Sequence, residues 1–260
     1  MLIFDSGIGG ISILNKIKKI LPNINYIYML DNAAFPYGEK KESFILNRSI
    51  KIINTIQKIY PIKIVIIACN TASTTSLSIL QKTFNIPIIG VLPFLEKSIK
   101  INKNSNIGFI ATKATINSKY IKNIIYKNFY KKNINIIATN KLAKFAEKKI
   151  RKQPISIIKF KKIFKSWIRL SIQPNIIYLG CTHFLFLKNE IQKIFYTPIN
   201  FLDSHDTVIN IVKHHFLKHK NNQNIKKNIF LYSKYNKEIN QLLSILTQYK
   251  FNYIHKINLN

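Results

Sequence analysis

Cysteine is nearly absent from this chain: its 260 residues carry two, Cys69 and Cys181. That scarcity excludes a disulfide-stapled scaffold and fits a reducing compartment, so the cytoplasm is the expected location. No Cys-x-x-Cys pair is present and only His183 lies next to a cysteine, so no metal site is expected. Apolar runs are short, none approaching the ~18 residues of a membrane span. The opening Leu2-Ile3-Phe4 is too brief for the hydrophobic part of a signal peptide. Glycine is scarce too, at seven: Gly7, Gly9, Gly10, Gly38, Gly90, Gly108 and Gly180. Each falls beside an expected strand end or turn, which marks backbone that needs positive φ or a close approach.

Acid is the other shortage. Ten Asp and Glu stand against 41 Lys and Arg, a formal net charge of +31. Such an excess first suggests nucleic acid, because clustered cations release counterions from phosphates. The lysines are not clustered, however: Lys16, Lys18, Lys19, Lys40, Lys97, Lys119, Lys148 and Lys220 are spread over every segment. No zinc-finger, RRM or helix-turn-helix pattern accompanies them, so no dedicated nucleic-acid site is expected. Abundant Ile, Lys and Asn read as an AT-rich coding bias, with incidental anion binding at low salt.

What is present is an alternation. Strands are expected at Leu2–Phe4, Asn25–Leu30, Lys63–Ala68, Ile86–Val91, Asn106–Ala111, Asn133–Ala138, Asn175–Gly180, Ile199–Asp203 and Asn228–Ser233. Helical spacing fills the intervals, as in Ile11, Leu14, Ile17, Leu21 before Pro22, and through 43–59, 71–84, 116–129 and 184–195. Strands alternating with helices imply βαβ units and mostly parallel sheets. The chain also rhymes with itself. A strand runs into Cys69-Asn70-Thr71 and another into Cys181-Thr182-His183, and Ile3-Phe4-Asp5-Ser6 is echoed by Phe109-Ile110-Ala111-Thr112. The expected fold is therefore α/β, with two similar domains related by a pseudo-two-fold and a site in the cleft between them. Pro93 marks the crossover out and Asp203–Asp206 the return, giving domains of 1–93 plus 205–260 and of 94–204.

The chemistry gathers at these strand ends. Both cysteines precede a helix start, where the dipole and free N–H groups lower a thiol pKa; the bland alternative is a buried inert thiol. Asp5-Ser6-Gly7-Ile8-Gly9-Gly10 is a βα turn in which Asp5 either caps a helix or serves a ligand. Its glycine spacing is not that of a dinucleotide fingerprint, and no P-loop lysine follows. His183 is either an acid/base partner of Cys181 or a cap. Phe35-Pro36-Tyr37-Gly38 reads as a loop entering a helix. Glu147, among lysines, has the look of a solvated helix acid.

Together, Asp5-Ser6-Gly7-Ile8-Gly9-Gly10, Pro36-Tyr37-Gly38, Ala68-Cys69-Asn70-Thr71-Ala72-Ser73 and Gly180-Cys181-Thr182-His183 closely resemble glutamate racemase. Gly90-Val91-Leu92-Pro93, Ile107-Gly108, Ala111-Thr112, Ala114-Thr115 and Phe201-Leu202-Asp203-Ser204 extend the match in order along the chain. The resemblance implies cofactor-independent, two-base racemisation of glutamate for peptidoglycan. Cys69 would serve the D-glutamate face and Cys181 the L-glutamate face, assisted by Asp5, His183 and Glu147. Substrate contacts are implied for Asp5, Ser6, Tyr37, Gly38, Asn70, Thr71, Thr182 and His183, and a homodimer is common in the family. Two other readings stay open: a racemase of another acidic amino acid such as aspartate, and a non-catalytic basic protein on the same fold.

Overall fold

The structure, a computed structural model, describes residues 1–95, 106–129, 134–217 and 228–259. Lys97, Lys220 and Asn133 lie outside the described residues. The chain first lays down β1 (Leu2–Asp5), β2 (Tyr26–Leu30), β3 (Val65–Ile67) and β4 (Ile88–Gly90). It then crosses over to β5 (Ile107–Ala111), β6 (Ile134–Ala138), β7 (Ile176–Gly180) and β8 (Asn200–Leu202). Finally it returns to add β9 (Asn228–Tyr232) and β10 (Tyr253–Lys256) to the first sheet. The sheet orders are β10-β9-β2-β1-β3-β4 and β6-β5-β7-β8, and every pairing is parallel. Adding four to each strand number turns β2-β1-β3-β4 into β6-β5-β7-β8. The rhyme in the sequence is thus a repeat of topology.

The strands read as continuous apolar runs because both faces are covered. Successive residues point to opposite faces, so Leu2 and Phe4 join Val65 and Ile67 on one side while Ile3 joins Tyr28 and Ile66 on the other. The second sheet divides the same way, with Ile110, Ile177 and Leu179 on one face and Ile107, Phe109 and Tyr178 on the other. Helix α1 (Ile11–Ile20) buries Ile11, Leu14 and Ile17, as its spacing requires, and ends before Pro22. Helices α2 (Glu42–Gln57) and α3 (Asn70–Thr83) cover the other face.

Three local expectations are corrected. The helix expected through 116–129 is two, Lys113–Asn117 and Lys119–Phe129, because Ser118 leaves the helical region (ψ 146°) and its Oγ accepts the Ile121 N–H. The helix expected through 184–195 is a 3₁₀ stretch, Thr182–Leu187, followed by a short helix, Lys188–Gln192. Strand β10 was not expected at all. Positive φ occurs at none of the seven glycines, so close approach is the reason for them. A Cβ on Gly7 would lie 2.4 Å from His183 Nε2, and one on Gly9 would lie 2.7 Å from Thr182 Oγ1. Among the described residues no helix is long and apolar enough to cross a membrane.

Candidate active site

Parallel strands deliver their carboxyl ends to one edge of each sheet, where ligands bind in open α/β folds. Asp5 closes β1, Cys69 follows β3, Thr112 follows β5 and Cys181 follows β7. Cys69 and Cys181 are free thiols, both buried. The turn Ser6–Gly10 carries the first sheet's edge up to the second. Its backbone donates from Ser6 N and Gly10 N to the two oxygens of Asp5, at 2.7 and 2.8 Å. From the other sheet Thr182 Oγ1 donates to Asp5 Oδ2 at 3.1 Å.

Beside Cys181 a chain of acid/base groups forms. Cys181 Sγ lies 3.8 Å from His183 Nδ1, and His183 Nε2 lies 2.9 Å from Glu147 Oε1. Glu147 sits on the helix Lys141–Ile150 and is 4% exposed, so the picture of a solvated acid does not hold. The lysines flanking it face outward, while helical spacing turns Glu147 inward with Leu142, Ala143 and Ala146. Its Oε1 also accepts the Ile8 N–H at 2.8 Å, and its Oε2 makes an ion pair with Arg151 Nη2 at 2.6 Å that is not aligned as a hydrogen bond.

Burial opposes charge on Glu147, but the His183 hydrogen bond, the His183 and Arg151 charges and the Ile8 N–H outweigh it and hold the carboxyl below its ordinary value. Burial likewise opposes an imidazolium, yet Cys181 and Glu147 together lift His183 well above its ordinary pKa. His183 Nε2–H therefore donates to Glu147. The Gly9 N–H, 3.3 Å from the same nitrogen, becomes a hydrogen-bond donor to it only when that nitrogen is deprotonated.

Cys69 is treated oppositely. Burial and the Asp5 carboxylate push its thiol well above the ordinary value, and the Ala72 N–H does not compensate. The expectation that a helix start lowers this thiol's pKa is thus overturned: desolvation exceeds the dipole. Burial raises Asp5 as well, despite its donors and the nearby His183 charge.

The remaining expected residues fall on the same edge. Ser6 is buried. Asn70 Nδ2 donates to Val91 O at 2.8 Å. Thr71 Oγ1 lies 2.9 and 3.1 Å from Thr112 Oγ1 and Thr115 Oγ1, a hydroxyl triangle joining α3 to the second sheet. Gly38 abuts Thr112 and Asn140. The Tyr37 hydroxyl donates instead to Asp31 Oδ2 at 2.7 Å, in a buried cluster with Arg48. Sequence reasoning missed Arg151 and the hydroxyl roles of Thr112 and Thr115. The Glu147–Arg151 spacing of four on one helix was the available signal for the first. Among the described residues no group of three or more His, Cys, Asp or Glu side chains could hold a metal ion.

No protein-family model matches the chain. Known proteins do. Glutamate racemase of Buchnera aphidicola subsp. Schizaphis graminum (strain Sg) is 65% identical over 260 residues, covering 100% of both chains. The chain belongs to the glutamate racemase family. Two solved members of that family carry the same architecture. The Escherichia coli glutamate racemase in complex with L-glutamate and the activator UDP-MurNAc-ala superposes with a TM-score of 0.90 at 32% identity, over 99% of this chain and 97% of that one. The Francisella tularensis glutamate racemase in complex with D-glutamate gives 0.79 at 25% identity, over 100% and 97%.

Proposed function

We infer that this chain interconverts L- and D-glutamate without a cofactor, as a glutamate racemase supplying D-glutamate for peptidoglycan. The observation that carries the mechanism is the unlike pairing of the two buried thiols, Cys69 with Asp5 and Cys181 with His183 and Glu147. Inversion at a carbon needs a base on one face and an acid on the other. With L-glutamate bound, Cys181 as thiolate beside imidazolium His183 takes the α-proton, and the electron pair stays on the α-carbon. Cys69, kept as a thiol, gives its proton to the opposite face. The reverse reaction swaps the two roles. Asp5, whose pKa is raised by burial, is suited to hold a proton for Cys69 when that sulfur is charged.

A carbanion next to a carboxylate is costly, and donors fixed in a water-poor site are what lower it. Ser6, Asn70, Thr71 and Thr182, with the backbone of Tyr37 and Gly38, are proposed to bind glutamate. Thr112 and Thr115 hold Thr71 in place. We place the domain boundaries at 93/94 and 204/205, since β1–β4 with β9 and β10 form one sheet and β5–β8 the other. A cytoplasmic setting suits the two free thiols, a homodimer follows the family habit, and the spread lysines give no reason for a nucleic-acid site. The test is incubation of reduced protein with L-glutamate in D₂O. Inversion with deuterium at the α-carbon is the expected result; neither exchange nor inversion from folded protein would overturn the reading.

A further inference from the structure

A second buried histidine lies apart from the thiols, and its hydrogen bonds lead back to them. His205, 2% exposed, opens the helix His205–Leu217 where the chain returns to the first sheet. Its Nδ1 is 2.8 Å from Asp203 Oδ1, and the same oxygen accepts the His205 N–H at 2.9 Å. Burial opposes the Asp203 charge, but the bonds and charge of His205, with Lys188 beyond, hold the carboxyl well below its usual range. On the other side of the ring, Nε2 lies 2.8 Å from Ser12 Oγ, and Ser12 Oγ donates to Gly9 O at 2.8 Å.

A carbonyl only accepts, so the Ser12 hydroxyl hydrogen given to Gly9 leaves the Ser12 oxygen facing His205 Nε2. A carboxylate only accepts, so the hydrogen in the Asp203 contact sits on Nδ1. Both ring nitrogens are engaged, and the ring braces α1 and the turn before it against the end of β8.

That turn is the one facing the reacting groups. The N–H of Ile8 donates to Glu147 and that of Gly10 to Asp5, while the Gly9 N–H lies against His183. We propose that His205 is a positioning residue for racemisation: backed by Asp203, it fixes the Ser12 hydroxyl on the Gly9 carbonyl and so holds the Ile8–Gly10 turn in register with Asp5, His183 and Glu147. His205 touches no reacting atom in this scheme and acts only through the turn. The inference rests on the racemase reading for its kinetic consequence but not for the bracing itself.

The test compares wild type with Ser12→Ala, His205→Phe and the double variant. Measured are kcat and KM for glutamate per folded molecule, and hydrogen exchange of the Ile8 and Gly10 amides. Each single variant is expected to lose about tenfold in kcat, with KM moving less than about twofold, since a small misplacement of the machinery is costly. The double variant loses no more than either single, because both cut one chain of contacts. Amide exchange at Ile8 and Gly10 speeds up about tenfold in all three. Multiplicative losses, unchanged kcat, or a loss that follows the folded fraction while those amides stay protected would overturn the proposal. Faster exchange in a protein whose wild type does not racemise glutamate would uphold the bracing and reject the function.

Discussion

Cys69 and Cys181 are the same residue in two electrostatic settings, one facing a carboxylate and the other an imidazolium. L- and D-glutamate are mirror images, so their equilibrium constant in water is one and kcat/KM must be equal in both directions for every variant. The asymmetry of the site can appear only in kcat and KM separately. Replacing His183 by Asn is therefore expected to lower kcat more from L- than from D-glutamate, with KM falling to match; equal loss of kcat in both directions would count against its pairing with Cys181. Cys69→Ser and Cys181→Ser should each cost about 10²–10⁴-fold in turnover, and full activity in either would sink the two-base scheme. Arg151→Met tests the far end of the chain. Without its cation Glu147 titrates higher. The lowered Glu147 contributes stability above its ordinary 4.5, lost as pH falls, and the raised His183 contributes below its ordinary 6.5, lost as pH rises. The variant should lose stability by about 3 kcal/mol, and the acid flank of its pH profile should move up as Glu147 loses its cation; Arg151→Lys should restore part. Urea melts across pH check this, and a uniform loss with the acid flank unmoved would refute it. Cys69, Cys181, Asp5 and His183 were legible because strand ends announce them. Arg151 was not, since among 41 cations its spacing of four from Glu147 gains weight only once Glu147 is seen to be buried.

At the scale of elements, nine of the strands were legible, most plainly the central ones β1, β2, β3, β5 and β7, which are buried throughout and almost wholly apolar. β10 was not: Tyr253, His255 and Lys256 are exposed, and the apolar pattern is lost. The 3₁₀ stretch after Cys181 was also hidden, because local propensity cannot report that Thr182 and His183 must meet another sheet. Those meetings explain the glycines better than any turn type does. Gly9→Ala would put a Cβ 2.6 Å from His183 Nδ1, and side chain and turn would have to part. Turnover is expected to fall by about 10²-fold with the thermal midpoint nearly kept, since the apolar cores are untouched; wild-type turnover would show that the contact is not needed. The crossovers meet in a similar economy at Tyr178, whose hydroxyl accepts the Phe94 N–H and bonds Ser204 Oγ, both at 2.9 Å, with its pKa pushed up to about 12 chiefly by burial. Tyr178→Phe leaves two partners of the connecting strands unsatisfied and should cost about 1–3 kcal/mol in urea.

For the whole molecule, the shortage of acid is sharper than the composition suggests. Among the described residues the acids Asp5, Asp31 and Glu147 are buried, so still fewer remain to balance the lysines outside. Surface pairs such as Lys16–Asp206 and Lys144–Glu39 are worth only a few tenths of a kcal/mol each. The folded chain thus holds its cations close together against their repulsion, and the unfolded chain lets them spread. The same field draws in an anionic substrate. Salt acts on both effects but in opposite directions for the observer. Raising ionic strength from about 0.01 to 0.1 M shortens the screening length from roughly 30 to 10 Å. The thermal midpoint should rise as repulsion is screened, while kcat/KM for glutamate should fall equally in both directions as attraction is screened. Melting curves and initial rates over one salt series check both. A midpoint that falls with salt would mean that the few ion pairs outweigh the excess of like charge, and a rising kcat/KM would mean that the basic surface hinders the substrate rather than gathering it.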